Sequence, residues 1–514
     1  MSKVVYVPLD ERPCNAKFPI MLAAITDLKL SSPPRTLLGI KKQPADVEGI
    51  RHWLLKESSD ADYLIVSADL LVYGGIVPSR LHQLPLAECA ARLSFLRDLK
   101  RSNTTLRIYA FNLIMRAPAY NSSDEEPDYY EQHGYSLFRY GWLSDKQSSE
   151  PLAEEELAEW ESLQIDVPAD VLADFLRRRA TNAEVNELAI NLVNEGIIEH
   201  LVIPLDDNAQ FGFSPMEQRK LLLTAERHNL MDRVLLYPGA DEIGCILFAR
   251  VFCRIKNYMP EAAVRYSSTL GPTIIPKYED RSLNESVKSH LHSGGAYMGD
   301  SAATADFVLM VHSPPVSQHE VAESPNPYSD RHRSYFSEVH IPEFVSAIEA
   351  LAGKGKLIAL ADVASCNGAD HTLMRLLSKK ELLPRITAYA GWNTSGNTLG
   401  TVVSHAIIAS YYRNQDSRPD HTDRMSSCFY LYRLIEDWGY QSIVRQEAAS
   451  RLGELGGTYF QVGHIREQVS QLITQRLHEF CAEYLRETAS GAIDGLKADL
   501  PWNRMFEVDL TLQM

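Results

Sequence analysis

The chain has 514 residues, more than one ordinary core accommodates, so two or three domains are expected. Hydrophobic residues at 45% and charged residues at 23% sit near globular averages and exclude a largely disordered chain. With 51 Lys and Arg against 67 Asp and Glu the net charge is -16, and no basic run is present to meet a phosphate backbone, so nucleic acid is not an expected partner.

From the amino terminus, Met1 to Pro13 meets Asp10, Glu11 and Arg12 at once, the reverse of a signal peptide's basic start and long apolar stretch. No window approaches the roughly 18 consecutive apolar residues of a membrane span. The expectation is a cytoplasmic protein without a membrane partner. Seven cysteines, odd in number and scattered, are never spaced as a metal knuckle, so reduced thiols and no bound metal or cofactor are expected.

Short apolar runs then alternate with polar loops and helical stretches, the signature of βα repetition. The runs are Val4 to Leu9, Tyr63 to Ser67, Arg107 to Leu113, Leu201 to Leu205, Val234 to Tyr237, Phe307 to Val311, Leu357 to Ala361 and Ile386 to Ala390. Because they are apolar without alternation, they suit strands covered on both faces, hence mainly parallel sheet. Asn121 to Pro127 reads as an acidic loop long enough to cover an active site, and the segment from Pro151 as a helix with an acidic solvent face. Asn182 is the expected N-cap of a helix that Gly196 ends. Ser313 to Ser329, bearing several prolines, reads as an extended lid or linker. The expected fold is α/β: a β/α-barrel-like part over 1–258, a layered α/β domain over 259–415 and a mainly helical region over 416–514.

In parallel α/β folds the carboxyl ends of the strands form one rim where ligands bind. Asp362 follows one run, and the rest of the rim is Asp10 and Arg12; Asp69 and Tyr73; Asn112 and Arg116; Asp206, Asp207 and Asn208; Asp241 and Glu242; and Trp392, Asn393, Thr394 and Asn397. Of these, Asp206, Asp207, Asp241 and Glu242 are the catalytic candidates and the remainder, Asp362 aside, candidate substrate contacts. Adjacent carboxylates oppose each other's ionisation, so one of Asp206 and Asp207 can hold a proton near neutral pH while its neighbour stays charged. The competing reading makes Asp207 or Asn208 the N-cap of a helix beginning near Ser214. Gly391 to Thr398 has the spacing of a phosphate loop, but Asn397 stands where the cation belongs, which disfavours triphosphate chemistry.

The opening Val7-Pro-Leu-Asp-Glu-Arg-Pro-Cys-Asn15, with Tyr73-Gly-Gly75, Asp206-Asp-Asn208, Gly239-Ala-Asp-Glu242 and Gly391-Trp-Asn-Thr-Ser-Gly-Asn-Thr-Leu-Gly400, resembles an uncharacterised bacterial family defined only as a domain of unknown function. That resemblance implies no established activity. Separately, Asp206-Asp207 after a strand is similar to the aspartate pair of hexosaminidases whose substrate N-acetyl group is the nucleophile. A rim of Asp, Glu, Asn, Arg, Tyr and Trp points to glycoside hydrolysis of a small carbohydrate. Two readings stand beside it: magnesium-dependent hydrolysis or lyase chemistry on an anionic metabolite gripped by Arg12 or Arg116, and a sugar-binding protein without turnover. A second copy of the chain stays open as a partner.

Overall fold

The computed structural model describes residues 2–316, 322, 324–325, 327–415, 418–488, 493 and 495–512. The expected lid over Ser313 to Ser329 therefore lies partly outside the described residues. By contacts the chain forms two compact units, one of 1–11, 28–244 and 278–281, the other of 12–27, 245–277 and 282–514.

The first unit is built on a six-stranded sheet. Its strands are β1 (Lys3–Val7), β2 (Lys29–Ser31), β3 (Tyr63–Ser67), β4 (Arg107–Phe111), β5 (Ile198–Leu205) and β6 (Val234–Pro238), in the order β2-β1-β3-β4-β5-β6. Every pairing is parallel. Val4, Val5, Tyr6 and Val7 of β1 and Leu64, Ile65 and Val66 of β3 are fully buried, as strands sandwiched between helix layers must be. The sheet is open: β2 and β6 are its edges, where a barrel would pair them. Winding reverses between β1 and β3, and such a reversal leaves a crevice at the carboxyl ends of those two strands.

The connection from β4 to β5 is long. It holds the acidic loop, then helices Tyr130–Ser149, Glu154–Asp166 and Ala169–Asn194. These pack a subsidiary core of Tyr130, Leu137, Leu143, Phe175 and Phe213. The helix expected from Asn182 instead begins at Ala169, because Asn182 is held as an interior side chain: its Nδ2 donates to Ser79 O (2.9 Å) and its Oδ1 lies 2.8 Å from His82 Nε2.

The second unit repeats the strand order. Strands β7 (Glu261–Tyr266), β8 (Tyr297–Gly299), β9 (Phe307–His312), β10 (Ile358–Asp362) and β11 (Ala388–Ala390) run β8-β7-β9-β10-β11, again all parallel. Helix Ser395–Arg413 packs against β10 and β11, and helix Thr422–Arg433 leads into a π-helix over Leu434–Val444. The C-terminal region is helical as expected, closed by the two-stranded ribbon Lys497–Asp499 and Asp509–Thr511. No helix among the described residues is long and apolar enough to cross a membrane.

Candidate functional site

In the first unit the parallel pairing sets Asp10 after β1, Asp69 after β3, Asn112 after β4, Asp206 to Asn208 after β5, and Asp241 and Glu242 after β6 on one edge of the sheet. At this edge two buried arginines hold four carboxylates. Arg80 donates through Nη1 to Glu125 Oε2 (2.9 Å) and Glu126 Oε1 (3.2 Å), and through Nη2 to Asp206 Oδ2 (2.7 Å). Arg116 donates through Nε to Glu126 Oε1 (2.8 Å), through Nη2 to Glu125 Oε2 (3.2 Å) and through Nη1 to Asp207 Oδ2 (2.8 Å). Adjacent aspartates thus lean on separate guanidiniums, which share Glu125 and Glu126 from the acidic loop. Four potential negative charges face two positive ones, and water is largely excluded, so retaining a proton costs less than ionising every carboxyl. Burial, then the Asp206 charge, raises the Asp207 carboxyl to about 6.

The backbone at Asp207 is left-handed (φ 40), a conformation non-glycine residues seldom adopt and one that clusters at functional sites. Neither Asp207 nor Asn208 caps the following helix. That helix, Phe213–Arg227, has Gly212 as its N-cap, and Asp145 Oδ2 accepts from Gly212 N (2.9 Å). Asn208 is buried with both Oδ1 and Nδ2 lacking a hydrogen-bond partner, while its backbone N donates to Tyr278 O (3.0 Å).

Asp69 begins the short helix Ala68–Tyr73, whose N-cap Ser67 accepts from Leu70 N (3.2 Å). Its Oδ2 accepts from Leu113 N (2.9 Å), tying the end of β3 to the end of β4, and burial raises its carboxyl to about 7. Tyr73 stacks on His82 and its hydroxyl is buried without a partner. Asn112 donates to Asn186 Oδ1 (2.8 Å) and so fastens the loop after β4 to the long helix beneath it. After β6, Glu242 Oε2 accepts from Ala240 N (2.9 Å) and clamps its own loop. That turn requires glycine at 239, where φ is 154° and a Cβ would stand 2.0 Å from Glu242 Oε1.

In the second unit Arg12, Trp392 and Asn393 line a small chamber together with Glu436, Gln441 and Asn367. Arg12 lies over the Trp502 ring, 4.7 Å from its centroid. Asn393 and Asn367 are both left-handed (φ 54 each), and Asn367 N donates to Asn393 O (2.9 Å), so the loops after β10 and β11 brace each other. Trp392 is held by its helix: its N donates to Thr398 Oγ1 (2.9 Å) and its Nε1 to Thr401 Oγ1 (3.2 Å). The ring already packs edge-on with Phe18 and under Arg433. Thr394 is the N-cap of Ser395–Arg413, its hydroxyl accepting from Asn397 N (3.4 Å), and Asn397 is buried inside the first turn.

Residue-by-residue reading of the sequence missed Arg80, Glu125 and Glu126. The acidic loop was the only signal for the glutamates, and nothing local distinguishes Arg80 from any helix arginine. It also missed a buried relay in the second unit, where Ser267 Oγ lies 2.9 Å from His312 Nδ1 and His312 Nε2 lies 2.9 Å from Asp370 Oδ2. Arg331 grips the same Asp370 with two bonds (2.6 and 2.9 Å). Among the described residues no group of three or more His, Cys, Asp or Glu is arranged to hold a metal ion.

No curated protein matches the chain. A family model described as "Protein of unknown function (DUF4127)" matches residues 4–511, nearly the whole length, and the chain belongs to that family.

Proposed function

We propose that the first unit carries a carboxylate acid/base site that hydrolyses a glycosidic bond in a small carbohydrate, with Asp207 as the proton-holding carboxyl and Asp206 as its charged partner. The observation that carries the reading is the arrangement of Asp206 and Asp207 on separate buried arginines, with Asp207 raised to about 6. A leaving glycosidic oxygen needs a proton near neutral pH, and a carboxyl so placed supplies one. The same geometry supports a neutral substrate. Arg116, the grip that an anionic metabolite would need, is engaged by Glu125, Glu126 and Asp207, so the edge favours a neutral, hydroxyl-rich ligand. The unpartnered Asn208 carboxamide supports this, since it offers one donor group and one acceptor to such a ligand.

Chromogenic aryl glycosides, N-acetylhexosaminides included, test the reading. Turnover is expected for at least one, falling as pH rises through about 6 as Asp207 loses its proton. D207N is expected to lower kcat by roughly 100- to 10,000-fold while leaving the melting temperature within a few degrees. Absence of turnover across the panel, or full activity in D207N, would reject it.

A further inference from the structure

The chamber in the second unit has a construction that the hydrolytic reading of the first unit does not use. Glu436 and Gln441 both lie on the π-helix Leu434–Val444. In an α-helix residues five apart would point about 140° apart around the axis. The i→i+5 bonding of a π-helix instead brings them toward one face, and π-helical turns are frequent at functional sites. The widened helix is therefore what lets both side chains line one space.

Gln441 is oriented without ambiguity. Its Nε2 donates to Phe506 O (3.0 Å), which leaves Oε1 as the free end, buried and without a hydrogen-bond partner. Glu436 is buried too. Arg433 Nη2 stands 2.8 Å from Glu436 Oε2, but Oε2 receives no hydrogen bond, and the hydrogen bonds of Arg433 go to Asp437 from Nε (3.3 Å) and Nη2. Asp437 is fixed in turn by accepting from Gly391 N (2.8 Å). One guanidinium thus serves two buried carboxyls, and the one without hydrogen bonds keeps a proton, its pKa raised to about 8 chiefly by burial. The chamber consequently presents an unpaired acceptor, the Gln441 amide oxygen, beside an O–H donor, the Glu436 carboxyl. Its open centre is about 20 Å³, enough for one water-sized group and far too little for a sugar ring.

We propose that this chamber is a recognition subsite for a single hydroxyl group of a neutral polyol, which donates to Gln441 Oε1 and accepts from the Glu436 carboxyl while the rest of the ligand stays outside. A cationic group is disfavoured because Arg12 lines the same space and Arg433 adjoins it, while the lining carboxylate Glu507 is already held by Arg504 (2.8 and 2.9 Å). Asp509 and Lys17, which also act on Glu436, are paired with each other at 2.8 Å. The proposal is independent of whether the first unit hydrolyses anything.

Binding of glycerol and of D-glucose to the full-length protein, followed by saturation-transfer NMR and calorimetry, tests it. Saturable binding of at least one is expected, and Q441M, which loses the acceptor, is expected to weaken it at least tenfold. E436Q keeps a neutral donor, so it should bind within about threefold of wild type at pH 6.5. The pH profile is the discriminating readout: affinity in the wild type should fall as pH rises through about 8, where Glu436 ionises, whereas E436Q should stay flat across that range. E436Q also keeps the test decisive if Q441M misfolds. No saturable binding of either polyol, which would mean that the chamber holds water alone, overturns the proposal. So does a wild-type pH profile that E436Q reproduces.

Discussion

Asp69 shows how one buried carboxyl links structure to pH. Its pKa is raised from the ordinary 3.8 to about 7, so between those values the folded chain binds a proton that the unfolded chain does not. By linkage, the contribution of Asp69 to stability is greatest below pH 4 and declines as pH rises through that window, by up to about 4 kcal/mol for three units. D69N keeps an oxygen for Leu113 N and cannot ionise. Its melting temperature should exceed that of the wild type at pH 8, the difference closing near pH 4; an equal loss at both pH values would show that Asp69 acts only through its shape. Arg116 works in the opposite sense, because its removal strands Asp207 and leaves Glu125 and Glu126 to Arg80 alone. R116M should cost about 3 to 5 kcal/mol in chemical denaturation, and R116M/D207N should recover part of that loss. Recovery matters most here, since simple loss of packing would not be relieved by deleting a carboxylate.

At the scale of elements, the ends of β7, β9 and β10 are cross-linked by polar side chains as well as by apolar packing. Ser267 follows β7, His312 ends β9, and Asp370 caps helix His371–Lys379 by accepting from Thr372 N (2.8 Å) and Leu373 N (3.3 Å). Asp362 at the end of β10 accepts from Asp370 N (2.6 Å). The hydrogen bond to Asp370 and the charges of Asp362 and Asp370 outweigh the burial that opposes them and raise His312 above its ordinary 6.5. Bonds from His312 and Arg331 likewise outweigh burial and lower Asp370. The signs follow. The contribution of His312 is fully present below pH 6.5 and is lost as pH rises through its folded value, and that of Asp370 is present above 3.8 and lost as pH falls through its folded value. Melting curves from pH 5 to 9 should therefore show the wild type's advantage over H312Q shrinking as pH rises. A constant difference would mean that the ring is held neutral and contributes only packing. These links were invisible in the sequence, since Ser267, His312 and Asp370 are separated by whole βα units and no local pattern marks them.

For the molecule as a whole, each unit draws on chain from both sides of the other, with 12–27 assigned to the second unit and 278–281 returning to the first. The returning segment is tied in by Arg281 Nη1 donating to Leu236 O (3.1 Å) and by Asn208 N donating to Tyr278 O. A fragment of residues 1–258 lacks it, and should give an amide spectrum of poor dispersion and rapid proteolysis beside the full chain; a well-dispersed, protease-resistant fragment would show the segment to be dispensable. The sequence by itself determined the α/β class, eight of the eleven parallel strands and the sheet edge that carries Asp10, Asp69, Asp206 and Asp241. It did so because burial on both faces leaves uninterrupted apolar runs and parallel pairing allows the loops only one rim for polar chemistry. Strands β2, β7 and β8 escaped: β2 and β8 are edges of three residues with no apolar run to announce them, and in β7 Glu261 and Arg265 interrupt the apolar run. The opening of the first sheet, the shared strand order of the two sheets and the pairing of Asp206 with Arg80 and Asp207 with Arg116 were decided only in three dimensions. Strand order and ion pairing are settled by which surfaces meet across distant segments. A local pattern records that a residue is buried or polar, but not which partner it is buried against.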